Sequence, residues 1–150
     1  MKKKTIIYLG GGLSQKPAIK SLKKKGINII LIDRNSNCES KDHADFFLNL
    51  DLKNSKKIIQ NLNLLKNEFN FVGTYGVADY AMITVAKINE KFKLKGLNSK
   101  FAKLFINKES SKNFFRKSKI CTPKTIFYGK EITNKIIKKI FSQKENKKII

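Results

Sequence analysis

The sequence predicts an α/β protein: a doubly wound, mainly parallel sheet with helices on both faces, followed by an incomplete second domain of α+β type. Three observations carry this. Short β-favouring apolar runs alternate with stretches of helical spacing in units of roughly 25–30 residues, the rhythm of strand–helix–strand crossovers. The first apolar run ends in three consecutive glycines, a tight loop between a strand and a helix. After Gly96 the alternation stops, and two helical stretches follow one another with no strand between them.

Thr5-Ile6-Ile7-Tyr8-Leu9 is a continuous β-favouring run closed by Gly10, Gly11 and Gly12, hence a buried strand. Ser14 is the expected N-cap of the first helix, Pro17 fits its first turn, Ile19 and Leu22 mark its apolar stripe, and Gly26 stops it. Ile27–Ile32 is a second buried strand, ending at Asp33. A polar loop through Asn35, Ser36 and Asn37 leads to a short third strand at Phe46–Leu50. Asn54 caps a helix with Ile58, Ile59, Leu62 and Leu65 on one side. Phe69–Val72 is a fourth strand, followed by Gly73-Thr74-Tyr75-Gly76 and by a helix bearing Ala78, Ala81, Met82, Val85 and Ile88, with Gly96 ending the segment. Helical stretches at Ser99–Ile106 and Lys108–Ser118 come next. Then follow Pro123, a brief strand at Thr125–Tyr128, an amphipathic helix with Ile132, Ile136, Ile137, Ile140 and Phe141, and the opening of a strand at Lys147–Ile150. The division is therefore 1–97 for the first domain and 98–150 for the beginning of a second, whose remainder is expected outside this chain.

Lys and Arg total 33 against 11 for Asp and Glu, a formal charge of +22. Such an excess attracts nucleic acid or an anionic membrane surface through counterion release, so a basic nucleic-acid-binding adaptor is one function class the charge admits. Its composition argues against that class. Only Arg34 and Arg116 are arginines, although guanidinium is the better group for bidentate phosphate and base contacts. No stretch interleaves basic and aromatic residues as a single-strand platform would. The richness in Lys, Ile and Asn points to a coding bias toward A and T. No apolar run approaches the ~20 residues of a membrane span. Three glycines and the lack of a small-residue cleavage site break the momentary likeness of Met1–Leu9 to a signal peptide, so the chain reads as cytoplasmic.

Cys38, Cys121 and His43 form no metal-ligand spacing, and no nucleophile–base set is in evidence. The chemistry-bearing candidates are the glycine loop and Asp33. A loop of this kind exposes backbone N–H groups at the positive end of a helix and can hold a phosphate or carboxylate. Asp33, at the carboxyl end of the second strand, falls near the spacing of a ribose-binding acid. A dinucleotide fingerprint would need a third glycine where Gln15 stands, and a side chain there obstructs close helix–sheet packing, which disfavours a nicotinamide cofactor. A plain tight turn and a self-contained Rossmann-type nucleotide-binding module remain the alternatives.

Gly10-Gly-Gly-Leu-Ser-Gln-Lys-Pro-Ala-Ile19, followed by Lys-Lys-Gly-Ile-Asn-Ile-Ile-Leu-Ile-Asp33, resembles the opening of the ATP-grasp ligase superfamily, its Rossmann-like pre-ATP-grasp domain. His43–Asp51 is similar to the family's third strand, and Phe71–Gly76 with the following Ala-rich helix to its fourth. Gly96-Leu-Asn-Ser, Ile106-Asn-Lys108 and Ile120-Cys-Thr-Pro-Lys-Thr125 are similar to the entry into the ATP-grasp domain proper. The resemblance implies an enzyme that uses ATP and magnesium to phosphorylate a small-molecule carboxylate, after which an amine or other nucleophile attacks the acyl phosphate. It places Lys108 at the family's first phosphate-contacting position. It makes Gly10, Gly11, Gly12, Gln15, Asp33 and Asp79 candidates on the substrate side.

The sequence also departs from the family. Lys119-Ile120-Cys121 stands where the family has a Gly-Ile-Pro-like turn, so a different local turn is expected. The second ATP-binding lysine, the lid, the adenine pocket and the magnesium ligands would all lie beyond Ile150. The resemblance therefore implies no catalytic residue, no metal site and no tight ATP binding in this chain, with the missing half supplied in cis or in trans. An unfinished domain would expose apolar surface through which the chain could dimerise.

Overall fold

The computed structural model describes residues 2–123 and 131–142. The strands expected at Thr125–Tyr128 and Lys147–Ile150 lie outside the described residues. The chain divides into two compact units, Met1–Asn107 and Lys108–Ile150.

In the first unit, β1 (Lys4–Leu9), β2 (Asn28–Asp33), β3 (Phe46–Asn49) and β4 (Asn70–Gly76) form one sheet in the order β3-β2-β1-β4. All three pairings are parallel. The helices are α1 (Lys16–Lys24), α2 (Ser55–Leu65), α3 (Met82–Phe92) and α4 (Ser99–Ile106). Alternate residues of a strand face opposite sides of a sheet, so a strand covered on both sides must be apolar throughout. The central strands obey this. Ile7, Leu9, Ile30 and Ile32 pack with Ile58, Leu62 and Leu65 of α2 and Val85 and Ile88 of α3. On the other face Tyr8, Ile29 and Leu31 pack with Ile19 of α1. The result is the doubly wound α/β architecture. β1 leads to α1 on one face and β4 to α3 on the other, so the chain diverges at the carboxyl ends of these neighbouring strands, where such sheets open a crevice.

Three local expectations are corrected. Ser14 is not an N-cap: it lies in a 3-10 turn, Leu13–Gln15, which winds directly into α1. The amides of Gln15 and Lys16 bond back to Gly12 and Leu13, and Pro17 near the helix start has no N–H to satisfy. β4 does not stop at Val72. The register skips that residue, so Phe71 pairs with Thr5 and Gly73 with Ile6, and the irregularity keeps residues 73–76 paired with β1 to its end. α3 is ended by Lys93, not Gly96. Lys93 takes the left-handed conformation (φ 54°), its amide bonds to Glu90 O and the Leu94 amide to Asn89 O, the two bonds of a Schellman cap. Gly96 has a positive φ (151°) and serves close packing instead, since a Cβ there would overlap Asn89 Nδ2.

Asn54 and Asn98 cap α2 and α4, their side chains accepting from the amides of Lys57 and Phe101. A Glu90 Oε1 of α3 accepts from the Ser99 amide at 2.7 Å, and this bond holds the Glu90 carboxyl below the usual carboxylate range. α4 is thereby tied to α3, inside the first unit.

The second unit holds α5 (Lys108–Lys117) and α6 (Asn134–Ser142) among its described residues. α5 ends in another Schellman cap, with Ile120 N to Phe115 O and Lys119 N to Arg116 O, and Lys119 at φ 57°. The turn thus keeps the left-handed form without the glycine that would adopt it freely, at a cost of about 1 kcal/mol. Ile136 and Ile140 of α6 are half-buried, while Ile137 and Phe141 on the same helix are exposed.

Candidate functional site

The glycine loop is stitched to the end of β2. Gly10 turns with φ +99°, and its amide donates to Ile32 O at 2.9 Å. The Gly11 amide donates to Asp33 Oδ2 at 2.7 Å, and the Gly11 carbonyl accepts from the Ser40 amide. Asp33 Oδ1 accepts from the Asn35 amide at 2.8 Å. A Cβ on Gly11 would lie 2.6 Å from Cys38 Sγ and 3.0 Å from Leu31 Cδ2. One on Gly12 would lie 3.1 Å from Gln15 Oε1. The structure therefore brings Gly10, Gly11, Gly12, Gln15 and Asp33 together. Burial pushes the Cys38 thiol above its usual range, and the nearby Asp33 carboxylate adds to the shift. The Gly10 and Gly11 amides already serve protein acceptors, Ile32 O and the Asp33 carboxylate. The loop shapes the edge of the site more than it cradles an anion.

Beside it opens a cleft of about 310 Å³ lined by Asp33, Arg34, Asp51, Leu52, Lys53 and Tyr80. Arg34 follows β2, Asp51–Lys53 follow β3, and Tyr80 stands in the 3-10 turn Asp79–Ala81 after β4. All therefore lie at the carboxyl edge, where parallel sheets place ligands. Leu52 is the cleft's buried member; its carbonyl accepts from Thr84 Oγ1, and a Cβ on Gly10 would reach its side chain at 4.0 Å, joining loop and cleft. The Lys53 amide donates to Asp51 Oδ1 at 2.9 Å, and Lys53 Nζ sits 5.7 Å from the Tyr80 ring centroid. Arg34, Asp51, Lys53 and Tyr80 were not among the residues singled out from the sequence. The signal that finds them is position, one to four residues beyond a strand's carboxyl end.

Asp79 is exposed beside Tyr80 and is not part of the cleft lining. Lys108 is exposed in the first turn of α5, in the second unit, next to Glu109, whose carboxylate lies 3.7 Å from Arg116. Among the described residues no group of three or more His, Cys, Asp and Glu side chains could hold a metal ion. No described helix is long and apolar enough to cross a membrane.

No family model and no curated sequence matches the chain. Solved structures do. Phosphoribosylglycinamide synthetase from Anaerococcus prevotii matches with a TM-score of 0.69 at 26% identity, covering 79% of this chain and 30% of that one. L-amino acid ligase from Bacillus licheniformis matches at 0.68 and 15% identity, covering 82% and 31%. N5-carboxyaminoimidazole ribonucleotide synthetase from Thermotoga maritima matches at 0.64 and 22%, covering 83% and 32%. The latter two likenesses are of fold alone. The chain spans 30–32% of the length of these proteins. All three are ATP-grasp enzymes, and the match runs through their amino-terminal parts. The resemblance in the sequence and the likeness of the coordinates agree: this chain carries the amino-terminal, Rossmann-like fold of the ATP-grasp enzymes.

Proposed function

We propose that the chain supplies the amino-terminal, substrate-facing part of an ATP-grasp ligase. The observation that carries this is the four-stranded parallel sheet with the cleft at its carboxyl edge, matched at 26% identity over 79% of the chain by phosphoribosylglycinamide synthetase. In the whole enzyme, a carboxylate oxygen of a small substrate takes the γ-phosphoryl group of magnesium-bound ATP, and ADP leaves. An amine or other nucleophile then attacks the acyl carbon and expels phosphate. The glycine loop, Gln15, Asp33 and Asp79 border the substrate in this reading, and Lys108 adds its charge at an ATP phosphate from the first turn of α5. Residues 98–150 begin the nucleotide domain, and its remainder is supplied in cis or in trans. The setting is cytoplasmic.

The chain alone is expected to release no ADP from ATP and magnesium in the presence of small carboxylates and amines, and to show no tight magnesium-dependent heat of ATP binding in calorimetry. Turnover, or tight binding, overturns the assignment of a partial enzyme. NADH fluorescence titration separates the rival: saturable binding abolished by Asp33→Ala makes the chain a self-contained nucleotide-binding module instead.

A further inference from the structure

In a chain that meets nearly every need for positive charge with lysine, arginine stands at two positions. They are used differently. Arg116 turns its guanidinium back onto its own helix, toward Asn113 Oδ1 at 2.8 Å and Glu109 Oε1 at 3.7 Å. Arg34 lines the cleft, and its guanidinium has no hydrogen-bond or ion-pair partner among the described residues. Arg34 is exposed, but its backbone is held. Asn49 Nδ2 donates to the carbonyls of both Asp33 and Arg34, at 3.0 and 2.9 Å, while the Asp33 carboxylate is held by two amides. The two cleft carboxylates are already committed to backbone amides: Asp33 through both oxygens and Asp51 through Oδ1. A forked, permanently charged donor on a fixed backbone, left unpaired in a concave site, matches a planar or tetrahedral oxyanion.

We propose that Arg34 anchors an oxyanion subsite in this cleft, taking a phosphate or carboxylate group of the ligand through a two-pronged hydrogen bond. The Lys53 ammonium supplies a second positive charge, and the Tyr80 ring forms the side wall. The free oxygen of Asp51 accepts from a hydroxyl of the same ligand. This rests on the reading above only in that the cleft faces substrate.

The test uses the 150-residue chain and residue-resolved ¹H–¹⁵N spectra at physiological salt. The probes are glycerol 3-phosphate, glycerate and glycerol. Saturating shifts of the Arg34 side-chain N–H and of the amides of residues 33–35 and 51–53, with one of the two anions and not with glycerol, support the subsite. The anion that saturates tells phosphate from carboxylate. Arg34→Lys keeps the charge and loses the fork, so it weakens that binding by about tenfold or more, whereas Lys66→Gln, at the far end of α2, leaves it unchanged. Shifts spread evenly over the lysine surface, no saturation, or wild-type affinity in Arg34→Lys overturns the proposal. Should Arg34→Lys bind normally while the amides of Gly10–Gly12 still move, only the subsite falls; the partial-enzyme reading falls on ATP turnover or NADH binding, not on this titration.

Discussion

The glycines after β1 and those at the end of β4 lie side by side at the carboxyl edge of the sheet, since Leu9 pairs with Gly76 and Gly10 follows at once. Both segments look alike as sequence: glycines closing an apolar run. In the first, glycine is needed for what the backbone does and for what presses on it. Gly10 takes a positive φ, and Gly11 is wedged against Cys38 and Leu31. In the second, the backbone stays a paired strand. Gly76 is confined by Val85 and Leu9, and Gly73 faces open space. Glycine therefore marks a turn, a close approach or nothing in particular, and only the neighbouring elements tell which.

The sharpest way to break that comparison is Gly11→Ala. A Cβ 2.6 Å from a buried sulfur displaces the loop from Cys38 and from Leu31 of β2, and a loss of about 3 kcal/mol in denaturant unfolding is expected. Gly11→Ala combined with Cys38→Ala recovers part of that loss, because the sulfur is the nearest clashing atom; strictly additive losses would show that the loop resists alanine for another reason. Cys38 also gives the loop a pH signature. Its folded pKa is raised, so its contribution to stability is complete below the ordinary thiol range and is lost as pH rises through the folded value. The alkaline limb of a stability–pH curve is accordingly shallower in Cys38→Ala than in the parent; identical limbs would place the thiol in water.

Asp33→Asn comes next. It replaces a carboxylate that accepts from the Gly11 and Asn35 amides by an amide that can accept through only one atom, so about 2 kcal/mol is expected to be lost. Spectral change should centre on residues 10–12 and 33–35. Change confined to residues 33–35 would mean that the glycine loop holds its shape without the aspartate.

The four strands and the first four helices were legible because a parallel sheet buried on both faces forces unbroken apolar runs, and the crossover helices force stripes such as Ile58, Leu62 and Leu65. Asn54 was legible as a cap because its side chain accepts a bond that only the first helical turn offers. Other features were set by contacts distant in sequence. The continuation of β4 past Val72 depends on the register with β1, and Gly96 on Asn89. The ends of α3 and α5 depend on lysines in a conformation for which local propensity selects glycine. At the site, the loop and Asp33 were visible as a pattern. Arg34, Asp51, Lys53 and Tyr80 were not, because they meet only when the ends of three strands are laid side by side.

Gly76→Ala and Gly73→Ala carry the comparison into β4, where the effects are smallest and differ in sign. A Cβ on Gly76 would stand 3.0 Å from Val85 Cγ2 and 3.4 Å from Leu9 Cβ, a squeeze that a valine rotamer shift relieves only in part, so a loss of about 1 kcal/mol is expected. Gly73 has a negative φ, and nothing lies within 4 Å of the position its Cβ would take. Alanine there adds no clash and removes conformational freedom from the unfolded chain, so it stabilises by about 0.5 kcal/mol. Denaturant midpoints of the two variants thus move in opposite directions from the parent. If both fall, Gly73 faces a neighbour after all, and the flank of β4 on which it lies is covered when the protein is in solution.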